Sequence, residues 1–146
     1  MKVSEFVQKH IKTKVDFDGV YGAQCVDLFR YYCEEVLQIP HTGSCASSGG
    51  AKDLFLDYSK MPLEQKYFNA IRTTNVKYGD VVIWGNTEIN KYGHVAIAIT
   101  KVNKDSILVF EQNGITQNGA ELVERPIKNI LGVLRFKEVQ KWKRTG

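Results

Sequence analysis

A thiol acts as a nucleophile only where something stabilises its anion. Of the three cysteines in this chain, Cys25, Cys33 and Cys45, only Cys25 stands where a helix should begin. Unpaired backbone N–H groups and the helix dipole favour a thiolate there. Cys33 follows two helical turns later on the same face and reads as core. Cys45 lies in a Gly/Ser loop with no partner to assign. Taken alone, Cys25 is more often a small buried hydrophobe than a nucleophile. A base elsewhere in the chain changes that balance. His10 falls in a first helix and His41 in a loop, both expected to face solvent, whereas His94 opens a strand directly after Gly93. It shares a strand face with Ala96 and Ala98. Those small side chains leave room for another element, and the helix carrying Cys25 is the expected one.

Glu111 and Asn113 end the next strand, two residues apart and therefore on one face. Ile107 and Val109 precede them on that face. If the two strands form a hairpin, either polar residue reaches the His94 ring. A carboxylate or amide there fixes the tautomer and supports an imidazolium. Cysteine, histidine and an orienting acid or amide together are what cysteine acyl-transfer chemistry requires.

A second constellation precedes Cys25. Counting Asp16 as the first position of a loop, Asp18 is third, Gly22 seventh and Asp27 twelfth. Those are carboxylate and carbonyl positions of a calcium-binding EF loop. Val20 at the fifth position, Tyr21 at the sixth and Asp rather than Glu at the twelfth exclude an EF-hand. A hard cation held by oxygen is still the expected occupant. The plainer alternative is an acidic turn that caps the helix.

These residues need elements to hold them. Val3, Phe6, Val7 and Ile11 recur at helical spacing, so residues 3–12 form a short amphipathic helix. Residues 13–24 read as a loop. From 24 to 38, Cys25, Leu28, Phe29, Tyr32, Cys33, Val36 and Leu37 fall on one helix face, and Pro40 stops the helix. Residues 41–50 are a loop, and 51–58 a short helix burying Leu54 and Phe55. The second half changes character. Gly79-Asp80 is a turn, followed by strands over 81–84, 94–100, 106–112 and 130–136, with an edge strand at 120–124. Helices first and strands afterwards argue for an α+β fold with an antiparallel sheet, the 24–38 helix lying across one face.

The whole composition fits this reading. The chain has 146 residues, 43% hydrophobic and 25% charged, which suits one globular domain with its own core. Three cysteines are an odd number in a chain that needs no disulfide framework. The apolar runs are too short for a membrane span, and the N-terminus lacks the apolar core of a secretory signal. Synthesis in the cytoplasm and no membrane insertion are expected. The net charge is +4, of which residues 137–146 hold Lys137, Lys141, Lys143 and Arg144 against Glu138, or +3. The rest is nearly neutral, unlike a nucleic-acid-binding face. The basic stretch reads as a tail or the start of a linker.

DFDGVYGAQCVDL, YGHVAIAI and VFEQN, in that order, resemble the CHAP family of cysteine, histidine-dependent amidohydrolases and peptidases. The likeness is strongest to the CHAP domains at the N-termini of bacteriophage endolysins, and runs from about Val3 to Phe136. GGAKDLF at 49–55 is similar to a recurring segment of these lysins. The resemblance implies a papain-like α+β fold, with N-terminal helices on an antiparallel, partly barrelled sheet. It implies a catalytic domain over residues 1–136 that cuts amide bonds in bacterial peptidoglycan. The infected host would make it in its cytoplasm, and it would act at the cell wall as a monomer. By position Cys25 is similar to the family's nucleophile, His94 to its base, Glu111 to its orienting acid and Asn113 to the fourth polar member. Gln24 is the expected oxyanion donor. Asp16, Asp18 and Asp27, with the carbonyls of Val20 and Gly22, would hold Ca2+ as in calcium-binding relatives. Two rival readings are a non-catalytic, calcium-stabilised wall-binding module and a papain-like protease on protein substrates. The first needs no free thiol, and purified peptidoglycan against casein separates the second.

Overall fold

The computed structural model describes residues 1–15, 25–40, 50–85, 92–112 and 119–137. Helix α1 (Val3–His10) buries Val3, Phe6 and His10, one stripe at helical spacing. The Glu5 carboxylate accepts the Lys2 backbone N–H at 2.8 Å and closes its first turn. The helix ends at His10, where Ile11 turns to ψ 133° and Lys12 follows at φ +65°, earlier than the periodicity to residue 12 suggested. Lys12 donates its N–H to the Ala120 carbonyl, and Ala120 donates back to Thr13, so this segment is tied to the sheet edge.

Helix α2 (Cys25–Tyr32) buries Asp27, Leu28, Phe29 and Tyr32. It continues as a wider π turn over Cys33–Leu37, and Gln38 closes it in the left-handed region at φ 57°. The expected 24–38 helix is thus α-helical only in its first half. Cys33 is fully buried, as its place on the apolar face required. Short α3 (Asp53–Leu56) and a 3-10 turn (Tyr58–Lys60) follow. Helix α4 (Pro62–Tyr67) then runs without a turn into strand β1 (Phe68–Ile71). The sequence reading found neither, because no Gly or Pro marks the join and each element is too short to show a period.

Strands β2 (Val81–Trp84), β3 (His94–Asn103), β4 (Ser106–Glu111), β5 (Glu121–Pro126) and β6 (Ile130–Phe136) complete a sheet ordered β1-β6-β2-β3-β4-β5. Every pairing is antiparallel. The expected edge strand is β5. Register shifts between Ile83 and Trp84 and along β3 from Ala98 bend the sheet, which is curled without closing.

Each face of the sheet has its own apolar cluster. Val81, Ile83, Val95, Ile97, Phe110 and Leu134 pack against Phe6, Leu28, Phe29 and Tyr32 of the helices. Val82, Trp84, Ala96, Ala98, Ile107, Val109 and Val133 pack among themselves on the other face. This corrects one expectation: α2 lies on the Val95/Ile97 face, and the alanines do not receive it. Ala96 and Ala98 are buried instead in the second cluster, with Val82, Ile107 and Val109.

Candidate active site

The site forms where elements begin and end. Cys25 is the first residue of α2 and His94 the first of β3, while Glu111 is the last of β4. Pairing of β3 with β4 sets Ile97 opposite Phe110, which brings the end of β4 beside the start of β3. Gly93 makes the entry to His94 possible. Its φ is +81°, and a Cβ there would lie 2.5 Å from the Trp84 carbonyl and 2.7 Å from the Lys52 side chain. Lys52 in turn donates its N–H to the Tyr92 carbonyl at 3.0 Å, fixing the segment just before the histidine.

Cys25 is partly exposed, His94 is 4% exposed and Glu111 fully buried. Nε2 of His94 stands 3.0 Å from Oε1 of Glu111. The approach is off the hydrogen-bond direction, so Nε2 is buried without a hydrogen-bond partner while still close enough to pair as an imidazolium. Burial alone would lower the His94 pKa. The Cys25 thiol and the Glu111 carboxylate, both beside the ring, outweigh it and raise the pKa to about 9. Burial would likewise raise Glu111, but Arg125 and His94 bring it down to about 2. The histidine therefore favours its cation and the glutamate its anion. A thiol beside such a histidine has a proton-transfer partner within reach, which is the arrangement that nucleophilic attack on a carbonyl requires.

Two neighbours of this group were not singled out from the sequence. Trp84 pairs with His94 across β2–β3, and their ring centroids are 5.7 Å apart at 42°. Arg125 of β5 grips Glu111 with both arms of its guanidinium, Nε to Oε1 and Nη2 to Oε2, the latter at 2.8 Å. Its Cζ also lies 5.6 Å from the Trp84 ring centroid. A signal existed: the alternation Glu121, Val123, Arg125 places a cation on the inward side of a strand.

Other expectations fall differently. Gln24 and Asn113 lie outside the described residues, as do Asp16, Asp18, Val20, Gly22, His41 and Cys45. Among the described residues no three His, Cys, Asp or Glu side chains gather into a metal-binding group. Asp27, the one described member of the calcium set, is 2% exposed in the first turn of α2. The Arg30 guanidinium stands 3.6 Å from it as an ion pair. A buried carboxylate has the donor chemistry of an oxygen-ligated cation site. His10 does not face solvent, as its place in α1 had suggested. It is buried, with Nε2 2.7 Å from Oε1 of Glu35 and its ring 4.8 Å from that of Phe6.

Known proteins match the chain on the same ground. It is 36% identical over 124 residues to Endolysin PlyTW of Staphylococcus phage Twort, covering 77% of this chain and 24% of that one. The chain thus spans about a quarter of that relative's length. The crystal structure of a wild type endolysin, LysIME-EF1, superposes with a TM-score of 0.69 at 28% identity, over 92% of this chain and 64% of that one. The crystal structure of Ly7917 shares the fold at 17% identity, TM-score 0.58, over 77% of this chain and 53% of that one. A family model, the CHAP domain, matches residues 14–113, the stretch that carries Cys25, His94 and Glu111. With helices on a curled antiparallel sheet and that match over more than half its length, the chain belongs to the CHAP domain family.

Proposed function

We propose that this chain is a peptidoglycan hydrolase of the endolysin type, working through a Cys25 thiolate and His94. The observation that carries the reading is the meeting of a partly exposed thiol with a buried histidine backed by a buried carboxylate. A binding module needs none of this arrangement. Its likeness to phage endolysins supports the bacterial wall as substrate. In the reaction the thiolate attacks a peptide-type carbonyl and forms a tetrahedral oxyanion, for which Gln24 and the Cys25 N–H are the proposed donors. The C–N bond then breaks and the His94 imidazolium gives its proton to the departing amine. Water, losing a proton to His94, cleaves the thioester, releases the acid and restores the ion pair. Glu111 holds the charge on His94, and Asn113 is the proposed fourth polar member of the site. The bond cut is either a D-alanyl-glycyl type cross-bridge or the N-acetylmuramoyl-L-alanine amide.

Asp16, Asp18 and Asp27, with the carbonyls of Val20 and Gly22, are the proposed holders of Ca2+. A bound calcium would supply positive charge and tie the loop to α2. Purified peptidoglycan, incubated with the chain and with Cys25→Ala, tests the reading. New amino termini should appear with the first alone, glycine for the endopeptidase and alanine for the amidase. Hydrolysis of casein with none of peptidoglycan would overturn the wall assignment.

A further inference from the structure

Both oxygens of Glu111 are engaged by Arg125, and Oε1 is also the atom that faces Nε2 of His94 at 3.0 Å. The fork sets the plane of the carboxylate, since two parallel N–H donors leave it no rotation. In that plane Oε1 meets Nε2 off the hydrogen-bond direction. We infer that Arg125 is a positioning residue that restrains Glu111, so that His94 has a charge beside it but not a full hydrogen-bond acceptor. The inference rests on the proposed roles of Cys25 and His94.

The surroundings support it. Glu111 faces His94 from β3, Arg125 from β5, and Glu121, its partner in the β4–β5 register. Cys25 from α2 and Trp84 from β2 are the other neighbours of the His94 ring. Arg125 stands opposite Ile107 in the ladder and leans along the shared face to reach Glu111. Its side chain is only 15% exposed and lies over Trp84, so the fork is held from behind. A proton shuttle must release what it takes up. An imidazolium gripped by an unrestrained buried carboxylate would be a poor acid towards the departing amine. The Arg125 cation and the misaligned Oε1 both work against that grip.

The test is a ring-nitrogen NMR titration of His94 in the whole chain, with peptidoglycan turnover measured in parallel. Arg125→Met removes charge and fork. The His94 midpoint should then rise by about one unit or more, as the freed carboxylate turns onto Nε2. Turnover at saturating peptidoglycan should fall by about tenfold with little change in the half-saturating amount, because Arg125 lies behind the histidine. Arg125→Lys keeps the charge, guards against loss of folding, and lacks the fork. It should shift the midpoint in the same direction by less. A midpoint that falls or stays in Arg125→Met, with only a lower melting temperature, would show a purely structural residue and overturn the inference. So would a wild-type titration in Arg125→Lys, because charge alone would then suffice. Absence of turnover by the unmodified chain would sink the hydrolase reading instead, and the ring titration would still decide the role of Arg125.

Discussion

At the residue scale the proposed site is marked by unequal exposure. Cys25 is open enough to meet a substrate, while His94 and Glu111 are closed off behind it. Cys25→Ala should abolish peptidoglycan turnover, by at least about a thousandfold. It should leave the melting temperature within a few degrees, because a partly exposed thiol contributes little packing. Circular dichroism and amine release measure the two effects. Glu111 carries a pH signature. Its pKa is held at about 2 in the folded chain against 4.5 for an ordinary glutamate carboxyl. A lowered carboxyl pKa stabilises the fold fully above pH 4.5, and that contribution is lost as pH falls through the window down to about 2. Urea unfolding between pH 5 and 2.5 should show stability declining with acid. Glu111→Gln should flatten this slope even though it starts lower, having left Arg125 without its anion. An unchanged slope would mean that Glu111 is not the titrating group.

At the element scale, what matters is where elements start. Cys25 and His94 meet because α2 and β3 both begin at the same end of the fold. Gly93 is the residue on which this depends. Gly93→Ala forces a side chain into a left-handed backbone and against the Trp84 carbonyl, so it should cost about 1–3 kcal/mol or more. Turnover should fall further than the loss of folded molecules explains, since His94 is the next residue. Comparing denaturant midpoints with the activity of the still-folded fraction checks this. Helix α2 also shows how far pattern reading reaches. Its apolar face was legible from Cys25 to Leu37, because burial follows spacing. The widening into a π turn at Cys33 left no such trace, since five-residue turns change the backbone more than the choice of side chains.

At the scale of the whole molecule, calcium would join the loop before Cys25 to the body. Asp27 is two residues from Cys25, the proposed nucleophile, and already buried in the first turn. EGTA should lower both peptidoglycan turnover and melting temperature, and excess calcium should restore both. Asp27→Ala should behave like the chelated chain and fail to recover. Calorimetry that finds no calcium binding, with chelation changing neither quantity, would leave the acidic loop as a helix cap. The curled sheet matters at this scale too. It separates an apolar face packed against the helices from a second one packed on itself, and the His94 to Glu111 pair stands at the end of the latter.

The amino-acid sequence alone determined the elements other than α4 and β1, the two faces of β3 and the burial of Cys33, and it offered Cys25, His94 and Glu111 as the candidate site. These follow from local periodicity and from residue chemistry, which neighbours in the chain suffice to express. The family resemblance, read from short strings around those residues, was legible for the same reason. Only the tertiary structure decided which face of the sheet α2 covers, that His10 is buried against Glu35, and that β1 pairs beside β6. It alone put Arg125 on Glu111 and Trp84 beside His94. Contacts of this kind join residues far apart in the chain, or lean diagonally across a ladder. No spacing rule encodes them, because they depend on sheet order, register and curl, which form only when all the strands pack together.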